Sequence, residues 1–371
     1  MKLKRILKWS ARAIFVALVL AFVAGFVAYW RSTNDCNPNA AAPVNPTKAI
    51  RYCEYGSPDV VKLVDVEKPV PTDNQVLIKV RAASLNAFDA YVIRDSWLGR
   101  LVFGLRKPKD TRLGRDVAGQ VEAVGKNVTE FKPGDEVFGI VLGSLAENAV
   151  SSGRGVVMKP PSVSFEEAAS VPLAGMTALQ GLRHGKIQRG QKVLINGATG
   201  GVGTFAVQIA KSLGAEVTAV CSTRNVDLVR SIGADHVIDY TKEDFTKGDQ
   251  RYDVIFDNVG NHSFSARRRV LTPNGICVLV GVGGAGAKGS EAIGRIAGTF
   301  TASGLSSFTD QKFVQYVTKT SKDDLSTLAD LIQAGKVRPV IERTYKLEEA
   351  PDALRQLDQG HARGKIVITV D

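Results

Sequence analysis

The stretch Ile195-Asn196-Gly197-Ala198-Thr199-Gly200-Gly201-Val202-Gly203 limits the possible folds of this chain more than any other. It follows a short apolar strand, residues 192–196, and opens an apolar-faced helical pattern over residues 204–213 that Gly214 closes. A glycine-rich turn in that position lets the backbone approach a pyrophosphate. The helix N-terminus then offers free N–H groups and a partial positive charge to the phosphates. Such a turn alone would be weak evidence, but the pattern continues. Residues 216–222 read as a second strand, 226–232 with Gly233 as a second helix, and 236–240, 253–257 and 276–281 as three further strands. Strands alternating with short helices imply βαβ units and a parallel sheet, so residues 171–312 read as an α/β Rossmann domain.

The end of the second strand bears on the cofactor. Rossmann domains that take NAD place an acid there, on the ribose 2′-hydroxyl. Here the strand ends Cys221-Ser222-Thr223-Arg224, without an acid. A carboxylate would repel a 2′-phosphate, whereas hydroxyls and a guanidinium hold one through charge-assisted hydrogen bonds. The expected cofactor is therefore NADPH, on Ser222, Thr223 and Arg224. The competing reading makes Arg224 an ordinary exposed arginine.

Outside this unit the texture changes to short alternating strands, such as residues 75–82 and 119–124. A Lys132-Pro133-Gly134-Asp135 turn then leads into 136–140. Residues 47–170 read as an antiparallel, barrel-like β domain. Residues 313–371 hold an amphipathic helix at 323–334 and strand-like segments at 338–343 and 365–370, expected to return to that domain. A chain of 371 residues can bury a large core without disulfides. Its four cysteines, Cys36, Cys53, Cys221 and Cys277, contain no CxxC pair and fit neither a disulfide framework nor a zinc cluster. Cys221 and Cys277 stand in apolar runs and read as core residues. The net charge of +11 owes much to Lys2, Lys4, Arg5, Lys8 and Arg12. No basic stripe interleaved with aromatics marks a nucleic-acid surface. Arg267-Arg268-Arg269 reads as a solvated helix face.

Behind the basic flank, residues 1–12, comes an uninterrupted apolar stretch, residues 13–30, ending in Tyr29-Trp30. It is just long enough to span a bilayer and reads as a single-pass membrane anchor; a cleaved signal peptide is the competing reading. Residues 31–46 have the Asn, Pro and Ala content of a linker. Flanking charge places the enzyme outside the cytoplasm, while an intracellular cofactor argues the opposite, so its side of the membrane is left open.

With these residues in view, the chain resembles the medium-chain dehydrogenase/reductase superfamily, and within it the zinc-free quinone oxidoreductases. The resemblance covers about residues 48–371 and rests on motifs in order. They are Ala83-Ser84-Leu85-Asn86-Ala87-Phe88-Asp89, Leu113-Gly114-Arg115-Asp116-Val117-Ala118-Gly119 and Pro172-Leu173-Ala174-Gly175-Met176-Thr177-Ala178. The glycine loop, Gly233-Ala234-Asp235-His236-Val237-Ile238-Asp239-Tyr240, Phe256-Asp257-Asn258-Val259-Gly260 and Gly360-His361-Ala362-Arg363-Gly364-Lys365 follow. It implies a GroES-like β domain packed on the Rossmann domain, with the active site between them. It implies Thr199, Gly200, Gly201 and Val202 along the pyrophosphate, and Ser222 and Tyr240 on the adenosine phosphate with Arg224 nearby. Asn258 and Val259 would lie along the ribose, Val282 near the nicotinamide, and His361, Ala362 and Arg363 over the cofactor. Asn86 and Thr177 fall where the family approaches the nicotinamide ring. Zinc-dependent relatives carry Cys near the position of Leu85-Asn86 and Gly-His-Glu where this chain has Gly114-Arg115-Asp116, so no metal is expected.

Without a Lewis acid, alkoxide formation from a simple alcohol lacks its stabiliser. The expected reaction is hydride transfer to a small-molecule acceptor that stabilises the resulting charge itself, a quinone or an α,β-unsaturated carbonyl (enone). Solvent and Tyr91 are the candidate proton sources, and Tyr91 reads equally as a core aromatic. An alcohol dehydrogenase and a non-catalytic, membrane-tethered NADPH sensor or scaffold are the alternatives. Residues 283–308 are expected to line the acceptor cleft. The strand at 276–281 is expected to pair across a homodimer axis.

Overall fold

The computed structural model describes residues 41–280, 310–360 and 362–371, together with 23, 25–27, 29, 34 and 36. The chain first builds a ribbon from β1 (Pro46–Tyr52) and β2 (Val61–Glu67), paired antiparallel. Five strands follow: β3 (Gln75–Leu85), β4 (Asp116–Val124), β5 (Glu136–Ile140), β6 (Asn148–Ser152) and β7 (Val156–Met158). Two short helices, α1 (Ala87–Ile93) and α2 (Trp97–Phe103), fill the connection from β3 to β4. In β3 only Lys79 and Arg81 are exposed, so the long strand is the spine of the barrel core.

Helices α3 (Phe165–Ala169) and α4 (Pro172–His184) lead into the second half. Ser164 and Glu167 form a capping box at the start of α3, and Pro172 occupies the first turn of α4, where its missing N–H costs nothing. Then strands β8 (Lys192–Asn196), β9 (Glu216–Cys221), β10 (His236–Asp239), β11 (Tyr252–Asp257), β12 (Leu271–Leu279) and β13 (Lys312–Gln315) form a six-stranded sheet. Its order is β10-β9-β8-β11-β12-β13, and every pairing is parallel. This is the doubly wound Rossmann arrangement, and the strand order reverses between β8 and β11. Helices α5 (Gly201–Ser212), α6 (Val226–Ser231) and α7 (Phe264–Arg269) connect its strands.

After α8 (Lys322–Gln333) the chain rejoins the barrel through β14 (Ile341–Lys346), α9 (Ala350–Asp358) and β15 (Lys365–Thr369). The second sheet has seven strands, β14-β15-β3-β4-β5-β7, with β6 also on β3. Strand β3 divides one edge between two partners: β6 pairs with Gln75–Lys79 and β15 with Ala82–Leu85. The two halves share packing. Ala82, Ala118, Phe138 and Val367 of the barrel belong to the same buried cluster as Ile195, Phe205 and Phe256 of the Rossmann half. Burial of each large apolar side chain there contributes about 1.5–3 kcal/mol.

Several expectations need correction. No helix among the described residues is long and apolar enough to cross a membrane. That overturns the single-pass anchor and the membrane localisation built on it. Much of 13–30 lies outside the described residues, and Phe26, Val27 and Tyr29 are exposed helical positions. Cys36 and Cys53 form a disulfide, with Cα atoms 5.8 Å apart. The pair is invisible in the spacing because it ties the pre-barrel segment to the end of β1, two places that only the fold brings together. Cys221 and Cys277 are free and buried, as expected. Arg267 is no solvated residue: it is 4% exposed and lies with Nε 2.6 Å from Asp257 Oδ2. Strand β12 is not an edge, because β13 covers it. Val282, residues 283–308 and His361 lie outside the described residues.

Candidate active site

The crevice for a ligand lies at the C-terminal ends of β8 and β11, where the strand order reverses. Strand β8 runs into Gly197, whose φ of 81° is open to glycine and strained for other residues. At Gly203 a Cβ would stand 2.1 Å from the Gly197 carbonyl oxygen, so helix α5 can pack this close to the loop only as glycine. Gly200 is different: nothing comes nearer than 3.9 Å to the place of its Cβ, which leaves room for a phosphate. The first turn of α5 contains no acidic residue to oppose an anion. A pyrophosphate thus fits the space, the free N–H groups and the field of this loop. Thr199, Gly200, Gly201 and Val202 form this loop and the first turn of α5.

The adenosine end is built from the turn after β9. Asn225, buried and missed from sequence, donates its Nδ2 to Ser222 Oγ at 3.1 Å and to Thr199 Oγ1 at 3.5 Å. Ser222 thereby keeps its own O–H for a ligand. Thr223 does not: it gives its proton to Asp239 Oδ2 at 2.6 Å. That bond, with those from Thr241 and Lys242, outweighs burial and lowers the Asp239 carboxyl to about 2. Arg224 is exposed. The Tyr240 N–H donates to the Cys221 carbonyl at 2.9 Å, holding this half-exposed tyrosine beside the same turn.

Across the crevice, Asp257 is buried at the end of β11. Its Oδ1 accepts from Asn196 Nδ2 (2.8 Å), Val259 N (3.1 Å) and Gly260 N (2.9 Å), which fixes the Asn258–Val259 turn against the glycine loop. A Cβ on Gly197 would meet Val259 Cγ2 at 2.7 Å, and Asn258 Nδ2 lies 4.0 Å from the Cβ place of Gly200. From the barrel side, Gly364 forms a parallel bridge with Gly200. Ala362 and Arg363 are therefore within two residues of the glycine loop, and Arg363 N donates to Glu342 Oε2 at 2.9 Å.

The same junction carries a charged network of which only Asn86 was expected as a site residue. Lys365 is 3% exposed, and a Cβ on Gly201 would meet its Cδ at 2.7 Å. Its Nζ donates to Leu85 O (2.9 Å), Asn86 Oδ1 (2.7 Å) and Asp116 Oδ2 (3.1 Å). Asp116 also accepts from Ser84 Oγ (2.8 Å) and Asn86 Nδ2 (2.9 Å) on Oδ2, and from Leu173 N (2.9 Å) on Oδ1. Next to it, buried Asp89 accepts from Asn86 N at 2.7 Å and Gly114 N at 3.1 Å. Burial pushes the Asp89 carboxyl up to about 6, against the two backbone hydrogen bonds that lower it.

Of the residues expected near the reacting ring, Asn86 joins this network. Thr177 is half-buried on α4, where its hydroxyl meets Leu173 O at 2.7 Å and Thr318 Oγ1 at 2.8 Å. Tyr91 is 37% exposed and stacks edge-on against Phe103. All four residues stood within the family motifs, but Lys365 belongs to the last of them, far along the chain from the others, and no spacing connects the four.

A zinc ion does not fit this donor set. Asp116 has both oxygens engaged by four donors, and a lysine ammonium stands at the point where a cation would bind. Arg115 lies over the Phe88 ring, 4.7 Å from its centroid. Among the described residues no group of three His, Cys, Asp or Glu could hold a metal.

A Rossmann half with an open glycine loop, facing a GroES-like barrel across a shared crevice, defines a nicotinamide-dependent oxidoreductase. An alcohol dehydrogenase GroES-like domain model matches residues 72–210, and a zinc-binding dehydrogenase model matches 232–368. The mouse protein named NAD(P)H oxidoreductase RTN4IP1, mitochondrial, is 35% identical over 92% of this chain and 95% of its own length. An Arabidopsis thaliana NADPH-dependent alkenal/one oxidoreductase, chloroplastic, is 33% identical over 89% of this chain and 83% of its own. Among solved structures, the Coxiella burnetii quinone oxidoreductase superposes with a TM-score of 0.75 at 32% identity, covering 88% of this chain and all of that one. The chain belongs to the medium-chain dehydrogenase/reductase superfamily, in its zinc-free quinone oxidoreductase group. It is an NAD(P)H-dependent oxidoreductase.

Proposed function

We propose that this enzyme transfers a hydride from NADPH to a quinone or an α,β-unsaturated carbonyl, and that it prefers NADPH to NADH. The observation that carries the reading is the barrel floor beside the cofactor loop. There, the groups that could ligate a metal are spent on Lys365, so the acceptor must stabilise its own developing charge. The names of the Arabidopsis and Coxiella relatives, an alkenal/one oxidoreductase and a quinone oxidoreductase, support the same acceptor classes.

NADPH, when bound, supplies the hydride; the chain's residues bind, orient and shield. The glycine loop and the start of α5 take the pyrophosphate. Ser222, Arg224 and Tyr240 surround the place of the 2′-phosphate, where Ser222 retains a free donor and no carboxylate ends β9. The nearby Asp239 charge is occupied by Thr223 and Thr241. Holding acceptor and nicotinamide in contact supplies much of the rate. Water is the simplest proton source, since Asp89 is buried and committed to backbone donors.

The test is NADPH oxidation followed at 340 nm with the full chain and a panel of quinones, enones, aldehydes and alcohols. Turnover with quinones or enones, weak or absent with simple aldehydes, is expected. Turnover restricted to alcohols and aldehydes, or none with any acceptor despite tight NADPH binding, would refute the reading.

A further inference from the structure

Lys365 runs from the glycine loop to the floor of the barrel. It opens β15 one residue after the Gly364–Gly200 bridge, its stem lies against Gly201, and its ammonium ends under the β3–α1 corner. An ammonium has three N–H groups, and here three acceptors use them: Leu85 O, Asn86 Oδ1 and Asp116 Oδ2. Lys365 therefore has no donor left for a substrate or a phosphate. Its effect must pass through the groups it holds.

The group it holds most tellingly is Asn86. A side-chain amide can usually turn over, exchanging its oxygen and nitrogen. Between Lys365 and Asp116 it cannot. The ammonium only donates and so demands Oδ1; an ionised carboxylate only accepts and so demands Nδ2. A turned amide would set NH2 against NH3⁺ and oxygen against carboxylate in a buried, low-dielectric place. With this orientation one Nδ2 hydrogen is bound by Asp116 and the second has no partner among the described residues. Asn86 is half-buried at the meeting of the barrel floor and the cofactor loop, and its backbone N–H is already given to Asp89.

We propose that Lys365 is a positioning residue that locks the Asn86 amide so that its second N–H faces the acceptor's carbonyl oxygen. The proposal rests on the quinone or enone reading above. When hydride adds to the acceptor carbon, a C–H bond forms and the π electrons move to the carbonyl oxygen, which becomes anionic. The nicotinamide ring is oxidised in the same step, and water later supplies the proton. A donor fixed in advance, with a cation behind its oxygen, stabilises that anion without reorganising.

The test uses the full chain, NADPH, and 1,4-benzoquinone and 3-buten-2-one as acceptors. Asn86→Ala and Lys365→Met should each lower kcat, on the order of 100-fold for a lost oxyanion donor. NADPH Kd and acceptor KM should stay within about threefold, because a donor facing the carbonyl oxygen gains most of its strength only as that oxygen becomes anionic. The double variant should be no slower than either single one, since Lys365 acts through Asn86. Multiplying losses, or a collapse of NADPH binding with kcat retained, would overturn the proposal. If Lys365→Met does not fold because Asp116 is left unpaired, Lys365→Met/Asp116→Asn removes both charges and should show the same kcat loss.

A second measurement is independent of turnover. In asparagine-labelled protein, the side-chain signal lost in Asn86→Ala should show one Nδ2 hydrogen protected from exchange and one not. In the Lys365 variant both should exchange alike. Equal exchange in the parent protein would refute the locking even if quinones are reduced. Unequal exchange in a parent that reduces no acceptor would refute the acceptor reading and leave the lock standing.

Discussion

Replacing Arg267 by Met is the perturbation whose magnitude follows most directly from the structure. Asp257 is fully buried, and its single cationic partner among the described residues is the Arg267 Nε at 2.6 Å. Met keeps most of the stem's volume, so the loss is chiefly electrical. Removing one partner of a buried pair costs about 3–5 kcal/mol, because the other charge is left unpaired. Asp257 keeps the donors Asn196 Nδ2, Val259 N and Gly260 N, which places the expected value near the lower end, about 3 kcal/mol. If the Rossmann half unfolds as one unit, that lowers its Tm by roughly 6–12 °C. Thermal and urea unfolding, followed by circular dichroism, measure both quantities. Arg268→Met serves as the control: Arg268 contacts Gln311 at the surface, so its loss should stay within about 0.5 kcal/mol. Arg267→Met/Asp257→Asn should recover part of the deficit. A loss below about 1 kcal/mol for Arg267→Met, or one equal to that of Arg268→Met, would refute the argument.

Arg224→Ala should weaken NADPH by about 10- to 100-fold, the worth of one charge-assisted hydrogen bond, and leave NADH unchanged; equal losses for both in a binding titration would refute the phosphate role. Asp89, raised by burial to about 6 from 3.8, is held neutral more readily in the folded state, so the stability it contributes is full below pH 3.8 and lost as pH rises through about 6. Urea midpoints of Asp89→Asn should therefore lack the part of the pH slope that the parent shows between those values. Purified enzyme should contain no stoichiometric zinc by elemental analysis, and chelators should leave turnover intact. A homodimer, paired through β13 as the last strand of the sheet among the described residues, is expected by light scattering at micromolar concentration; a monomer would count against it.

The Rossmann half was legible because its signals are local. The strand expected at residues 192–196 is β8, and the helix expected at 323–334 is α8 shifted by one residue. Helix α5 begins at Gly201, three residues before its apolar pattern, since glycines that serve the phosphate site also form its first turn. The strand expected at 338–343 is found at Ile341–Lys346, where its register is set by β15 and not by its own composition. Helix α4 was recognised as a motif but not as a helix: Gly175 and Gly181 interrupt its apolar periodicity, and each is needed where Leu328 or Tyr316 packs close. The candidate site divides the same way. Thr199 to Val202 form one short loop and could be read directly. Lys365, Asp116, Asn86 and Asp89 meet only because β15, β4 and β3 pair, and a charged residue in the sequence carries no sign that it is buried.

Strand β3 has its edge divided between β6 and β15, and this imposes an order of events on the growing chain. During synthesis β6 can join β3 early, while the half of β3 next to Asn86 must wait until the whole Rossmann half has been made. Through that interval Ala82–Leu85 offers an unpaired edge, and Asp116 has no lysine. The nucleotide-binding half, in contrast, has all six of its strands before β15 exists. A nascent chain therefore has its nucleotide-binding strands before Lys365 can reach Asn86 and Asp116, so the site proposed above waits on the last strand to be made.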